Sequence, residues 1–350
     1  QKMKICFPVK PVHEGGGNYF TMSFIKYLKG HDFTITHDIN DQYDVIFTNH
    51  WSVPLRSIYR GIRRNPKLRL VQRIDGAAQD YGRDPASDAK QHEVNLMTDL
   101  TIFQSQYARD ATRRKFPVIV NDGPVIHNPV DFTMFTPQGP VHPAITDFNF
   151  DTLICSVTWS TNAKKGSAEV YEVATAHPEV GFVLCGNFPG APALPNILQL
   201  GVLDRSALAS AMRGCTAFLT FSENDACPNV VLEAMSSGLP VLYKDSGGTP
   251  ELVDECGIPV EVVGFAKALT QLANNKERWS ANARARAESH FNPEKILGQY
   301  VEAIRNAVEA SSAVPMWRKL GLAWNPYQVL LYNGRIWGKR TKELVRSTSL

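Results

Sequence analysis

The sequence predicts an α/β protein made of two doubly wound domains, each a parallel sheet with helices on both faces. Three observations carry this expectation. Strand and helix signals alternate along both halves of the chain. A proline-rich stretch, Thr136–Pro143, interrupts the alternation near the middle. A length of 350 residues suits two domains, at roughly 150 residues each.

In the first half, Met3–Val9 reads as a buried strand, followed by the glycine-rich Gly15–Asn18 and a helical pattern through Leu28. Asp32–Thr36, Tyr43–Thr48, Leu68–Ile74 and Leu100–Gln104 read as further strands. Pro54–Arg64, Ala89–Leu96 and Tyr107–Phe116 read as helices. In the second half, the expected strands are Thr152–Trp159, Phe182–Gly186, Ala217–Phe221 and Pro240–Tyr243. Helical patterns cover Ser206–Met212, Asn229–Ser236, Thr249–Asp254, Gly264–Asn274, Glu277–His290 and Glu294–Ala310. The boundaries expected are 1–140 for the first domain, 141–300 for the second, and 301–350 for a last helix and tail returning to the first. Two such domains facing each other leave a central cleft, a preferred place for a ligand.

Composition excludes several classes. A net charge of +3 is too small to argue for nucleic acid. The six cysteines form no C-x-x-C pair and no zinc-like spacing with histidine, so no structural metal is expected. They read as reduced thiols, which favours a cytoplasmic setting. Met3–Val9 passes straight into polar residues, unlike a secretory leader, and no stretch approaches the ~20 apolar residues of a membrane span.

Phe221–Val253 holds the most chemistry. A strand ending near Phe221 leads into a loop with Glu223, Asn224 and Asp225. Pro228 suits the first turn of the following helix, where its missing N–H costs nothing. The N–H groups of that helix end point out of the carboxyl edge of the sheet and make a ready anion site. A second such end follows Ser246-Gly247-Gly248-Thr249, where glycine lets backbone approach a ligand closely.

This segment resembles the signature of glycosyltransferase family 4, a retaining family of GT-B fold with two Rossmann-like domains. The pattern is an acid, seven residues and Glu-Ala; then small-Gly-x-Pro-Val; then Gly-Gly-x-x-Glu. Here these are Asp225 to Glu233-Ala234, Ser237 to Val241, and Gly247-Gly248 to Glu251. The resemblance implies that Asp225 holds hydroxyls of a donor sugar, with Glu223 able to share the work. It implies that Glu233 holds the ribose hydroxyls; a carboxylate only accepts and can take two hydroxyls at once. Backbone near Ala226, Cys227 and Asn229 would complete the sugar site. Val230, Gly247, Gly248 and Glu251 are counted with the donor-binding residues. Trp159–Gly166 matches the family's Arg-x4-Lys-Gly element in its lysine, Lys165, but has Ser160 at the arginine position. Lys165, helped by Lys164, is then the main counter-charge to the leaving diphosphate.

The first domain matches less of the pattern. Gly16, Gly17 and Asn18 offer backbone to a phosphate or sugar, with an ordinary loop as the alternative. Asp75 stands where many relatives carry a histidine facing the donor sugar; it reads equally as a site residue or a loop cap. Ile126–Phe135 resembles the family's Asn-x-Val-Asp-x-x-x-Phe segment and reads as structural, a turn at Asn128 and Asp131 with an aromatic anchor closing the first domain.

The implied reaction moves a hexosyl group from a nucleoside-diphosphate sugar to an acceptor hydroxyl, on a glycan, a lipid-linked carrier or a small molecule. The transition state is oxocarbenium-like, and negative charge grows on the diphosphate. The resemblance implies retention, with the departing phosphate taking the acceptor's proton. No cofactor is called for beyond the donor, and the absence of a D-x-D sequence suits metal independence. The rival readings are a GT-B sugar-nucleotide epimerase, a phosphorylase, and a non-catalytic sugar-nucleotide-binding subunit.

Basic residues cluster twice. Arg56, Arg60, Arg63, Arg64, Lys67, Arg69 and Arg73 follow one another without an acid, and the segment beyond Ala313 is basic and aromatic. Two expectations stand side by side: peripheral contact with an anionic membrane, or a solvated basic face plus a tail packed on the first domain.

Overall fold

A computed structural model describes residues 2–12, 15–49, 55–116, 118–260 and 264–310. The basic aromatic tail and Pro54 lie outside the described residues. The chain divides into two compact units: residues 1–126 with the segment from Gln299, and residues 127–298. The division precedes Thr136–Pro143, so that segment lies within the second unit.

The first unit runs β1 (Met3–Cys6), α1 (Gly16–Gly30), β2 (Phe33–Thr36), β3 (Val45–Thr48), α2 (Leu55–Arg64), β4 (Arg69–Ile74), α3 (Ala86–Asn95), β5 (Leu100–Phe103), α4 (Gln106–Lys115) and β6 (Asp122–Val125). Its parallel sheet has the order β2-β1-β3-β4-β5-β6. Helix α1 buries Phe20, Phe24 and Leu28, one turn apart. Helix α4 starts at Ser105, whose hydroxyl accepts from Ala108 N at 2.9 Å.

The second unit runs α5 (Pro143–Thr146), β7 (Leu153–Thr158), α6 (Ser167–Ala176), β8 (Gly181–Gly186), β9 (Ile197–Gly201), α7 (Arg205–Arg213), β10 (Ala217–Thr220), α8 (Asn229–Ser236), β11 (Val241–Tyr243), α9 (Thr249–Val253), β12 (Gly257–Pro259), α10 (Phe265–Asn274) and α11 (Lys276–His290). A final helix, α12 (Pro293–Glu309), continues into the first unit from Gln299. The second sheet is also parallel, in the order β12-β11-β10-β7-β8-β9.

Both faces of this sheet are covered, which is why its central strands read as continuous apolar runs. Cys155, Val183, Cys185, Phe218 and Val241 pack into one core layer. Ile154, Phe182, Leu184, Leu219 and Leu242 point to the other. The proline-rich segment is tied to α7: Arg213 donates to the carbonyls of Met134, Thr136 and Pro140.

Elements that sequence reading passed over have a physical reason. Edge strands β6 and β12 carry Pro124 and Pro259, which interrupt a strand pattern; proline is tolerated at an edge because no ladder N–H is needed on the open side. Helix α6 buries only Val170 and Ala174, too narrow a stripe to stand out. The basic run also divides in three dimensions. Arg56, Arg60, Arg63, Arg64 and Lys67 are exposed, whereas Arg69 and Arg73 are buried in β4 and belong to the interior.

Buried His92 sits on α3, its Nε2 2.8 Å from the carbonyl of Val118. Burial lowers its pKa from 6.5 to about 4, although the bond to Val118 favours the charged form. The unfolded chain therefore takes up a proton between these values that the folded chain refuses. Stability is held above pH 6.5 and falls as pH drops toward 4. The loss expected is roughly 3 kcal/mol. His92→Gln, which keeps a donor toward Val118, should flatten this acid slope in urea titrations run across that range.

Candidate functional site

The second sheet reverses direction between β7 and β10: β8 and β9 extend it on one side, β11 and β12 on the other. Loops leaving neighbouring strands at such a switch point part and leave a crevice at the carboxyl edge. Three loops gather there: 159–166 after β7, 221–228 after β10, and 244–248 after β11.

Glycines let the loops meet. The first loop ends in a 3-10 turn, Ala163–Lys165, capped by Asn162, whose Oδ1 accepts from Lys164 N. Gly166 follows at φ 73°, and a Cβ there would lie 2.4 Å from Cβ of Phe221. Glu223 N then donates to Lys164 O at 2.7 Å. In the third loop Gly247 has φ 67°, and a Cβ would lie 2.4 Å from the carbonyl oxygen of Asp225. Gly248 N donates to that same oxygen at 2.8 Å, and Asn224 N donates to Ser246 Oγ at 3.0 Å.

The charges then fall into place. Lys165 Nζ lies 2.8 Å from Asp225 Oδ2, both side chains mostly buried. Glu223 takes Lys164 on one carboxylate oxygen and Lys244 on the other, Lys244 at 2.5 Å. These two ammonium groups hold its pKa at about 2, well below the ordinary 4.5. Ser160 Oγ accepts from Asn162 N within its own turn.

Helix α8 starts at Asn229, with Pro228 as its N-cap residue, whose side chain makes no capping hydrogen bond. Asn128 braces this end: its Nδ2 donates to Cys227 O at 3.1 Å and to Asn229 Oδ1 at 2.7 Å. Ala226 and Cys227 are buried in the approach to the helix, and Val230 packs against the core. The segment read as closing the first domain thus supports α8 inside the second unit. Its Asp131 does form a turn, accepting from Thr133 N and Met134 N, and Phe135 is fully buried.

Glu233 is 4% exposed. Burial raises its pKa, and the opposing pull of Arg205 is the smaller effect. Arg205 Nη1 reaches its Oε1 at 2.7 Å while the guanidinium lies over the Phe135 ring. Among the described residues Oε2 accepts no hydrogen bond. Glu251 is engaged with His127, 2.7 Å from Nε2 to Oε1.

The first unit has its own switch, between β1 and β3. A small, partly open concavity lies there, lined by Phe7, Gly17, Asn18, Thr21 and Asn49 among others. Gly16 and Gly17 form the first turn of α1, and Gly15, at φ 78°, makes the bend before it. Asp75 follows β4. Its Oδ1 accepts from buried Arg73 at 2.8 Å and from Gln104 at 3.2 Å, and Oδ2 faces Gly17. Arg73 also donates to Asn49, Gln104 and Tyr300, and its guanidinium stacks 4.0 Å from the Phe20 ring.

Sequence reasoning did not single out Arg205, Lys244, His127 or Asn49. Lys244 stood inside the recognised segment and was open to notice. Arg205 gave no signal, because only the fold brings the start of α7 to Glu233.

These features define a GT-B fold, and comparison with known proteins agrees. The sequence profile of the family described as "Glycosyl transferases group 1" matches residues 167–275. A GDP-mannose-dependent alpha-mannosyltransferase of Mycolicibacterium smegmatis is 33% identical over 116 residues. The match takes in 31% of this chain and 31% of that enzyme's length. Among solved structures, a sucrose-phosphate synthase of Thermosynechococcus elongatus superimposes with a TM-score of 0.70 at 17% identity, over 88% of this chain and 100% of that one. HepE of Anabaena, in complex with UDP and glucose, gives 0.67 at 16%, over 87% and 100%.

Arg205→Met should leave the Glu233 carboxylate buried without its partner and cost about 3 kcal/mol in denaturant unfolding. Adding Glu233→Gln should restore most of that loss. Gly247→Ala should fail to keep the third loop against Asp225 and lower the melting temperature, since both φ and the close contact exclude a side chain.

Proposed function

We propose that the chain is a glycosyltransferase that moves a hexosyl group from a nucleoside-diphosphate sugar to an acceptor hydroxyl, with retention of anomeric configuration. The observation that carries this reading is the convergence at the β7/β10 switch. The start of α8, the Lys165–Asp225 pair and the half-engaged Glu233 carboxylate lie on elements that meet there. The group 1 profile covers α8 and the glycine loop, which supports the same conclusion.

In this reading the diphosphate lies against the α8 N-terminus and Lys165, where N–H dipoles and an ammonium group stabilise the growing negative charge. Lys165 exchanges Asp225 for phosphate, and Asp225 turns to sugar hydroxyls. Glu233 takes ribose hydroxyls on Oε2 while Arg205 keeps it ionised in a buried place. Ala226, Cys227, Gly247 and Gly248 supply close backbone, and the departing phosphate takes the acceptor's proton. Positive charge comes from side chains and helix dipole, so the mechanism runs without a metal. Because the mannosyltransferase relative uses GDP-mannose and HepE was solved with UDP and glucose, GDP- and UDP-sugars are the first donors to try.

Asp75 and the Gly16–Asn18 turn belong to the acceptor and sugar side of this reading, with Asp75 Oδ2 presented to the pocket region by Arg73. The exposed basic face of α2 is the proposed contact with an anionic membrane carrying a lipid-linked acceptor. Among the described residues no helix is long and apolar enough to cross a membrane.

Donor binding should raise the melting temperature in a screen of GDP- and UDP-sugars, and a nucleotide-release assay with acceptor should then show turnover. Glu233→Gln should weaken binding, and Lys165→Met should cut kcat/KM by about a hundredfold. A stabilised protein that releases no nucleotide with any acceptor would instead be a sugar-nucleotide-binding subunit. No stabilisation by any nucleotide would remove the donor-site reading.

A further inference from the structure

Lys244 follows β11, 79 positions from Lys165 in sequence, yet the sheet order delivers it to the same edge. Its backbone N–H donates to Thr220 O at 3.0 Å, which fixes the base of the third loop against the end of β10. Its side chain is three-quarters buried and reaches Glu223 Oε1, while Lys164 holds Oε2 of the same carboxylate. Two ammonium groups thus share this one carboxylate. Glu169 on α6 has an oxygen 3.8 Å from Lys244 Nζ, at the limit of pairing, and its side chain is 37% exposed.

The arrangement differs from an ordinary surface ion pair in what it holds still. Glu223 is itself anchored through its backbone, donating to Lys164 O. Two long, flexible lysines from separate loops are thereby gathered at one point beside the Lys165–Asp225 pair. Like charges held together at such a point bind a polyvalent anion more strongly than they attract a single carboxylate.

We propose that Lys244 is a third cation of the donor-phosphate site, paired with Lys164 by Glu223 into a two-ammonium clamp for the second phosphate of a nucleoside diphosphate. This rests on the donor-site reading above and extends it. Glu223 is then a strut that positions the two lysines, and the sugar hydroxyls are left to Asp225. Lys165 and the α8 end take one phosphate, and the clamp takes the other. Discrimination between diphosphate and monophosphate is the property this geometry should confer.

The test is calorimetric titration of UDP, GDP, UMP and GMP into the full chain and its variants. Lys244→Met should weaken diphosphate binding about tenfold or more while changing monophosphate binding by less than about threefold. Lys244→Arg should retain most of the affinity. The pair Glu223→Gln with Lys244→Met separates a ligand from a mere counter-ion. A ligand role leaves the double variant as weak as Lys244→Met, and recovery to wild-type affinity would overturn the clamp. It also takes the place of Lys244→Met if that single variant does not fold, as checked by circular dichroism. Unchanged diphosphate binding in Lys244→Met, alongside weakened binding in Lys165→Met, would reject the clamp and leave the donor site standing. Wild-type protein that binds none of the four nucleotides would reject the donor site itself.

Discussion

The ion pair between Lys165 and Asp225 is the contact on which the second unit's site depends. The two residues lie 60 positions apart, on loops leaving neighbouring strands of a parallel sheet, and meet at 2.8 Å with both side chains mostly shielded. In a partly dry place such a pair is stronger than at the surface, but each partner has also given up water. The proposed donor binding would exchange these partners: an incoming anion replaces the carboxylate on the lysine, and hydroxyl donors replace the lysine on the carboxylate. The glycines at 166 and 247 make the pair possible, because any side chain at either position would push the loops apart.

Glu233 and Arg205 show the same logic deeper in the structure. Burial disfavours the charged carboxylate and lifts its pKa, and one guanidinium contact offsets part of that cost. The second oxygen accepts no hydrogen bond among the described residues, which is what the proposed ribose contact requires. A carboxylate with both oxygens engaged by protein would be a structural brace, as Glu223 is between two lysines. The contrast separates two acids that look alike in sequence, ten positions apart.

The first unit places a buried cation under its own switch point. Arg73 is shielded from water, yet its donors reach Asn49, Asp75, Gln104 and Tyr300, and its flat face lies on Phe20. Guanidinium suits this role because its donors fan out in a plane while the faces remain apolar. The consequence reaches the surface: Asp75 is fixed through one oxygen and presents the other toward Gly17. A residue that looked like part of a basic patch is instead the reason a half-buried aspartate has a defined direction.

What the amino-acid sequence determined alone is local and periodic. Apolar runs of strand length, helical spacing and the positions of glycine and proline were enough for two parallel α/β sheets. The spacing of Asp225, Glu233, Gly247 and Glu251 marked the loop–helix segment at the carboxyl edge. Edge strands β6 and β12 were not legible because Pro124 and Pro259 interrupt a strand pattern, and an open edge accepts proline where a central strand does not. Tertiary structure decided which charges meet: Arg205 with Glu233, Lys244 with Glu223, His127 with Glu251, and Arg69 and Arg73 inside rather than outside. The reason is physical. Periodicity reports which face of an element is buried, whereas the partner of a buried charge is set by strand order and loop approach, which bring together residues tens of positions apart.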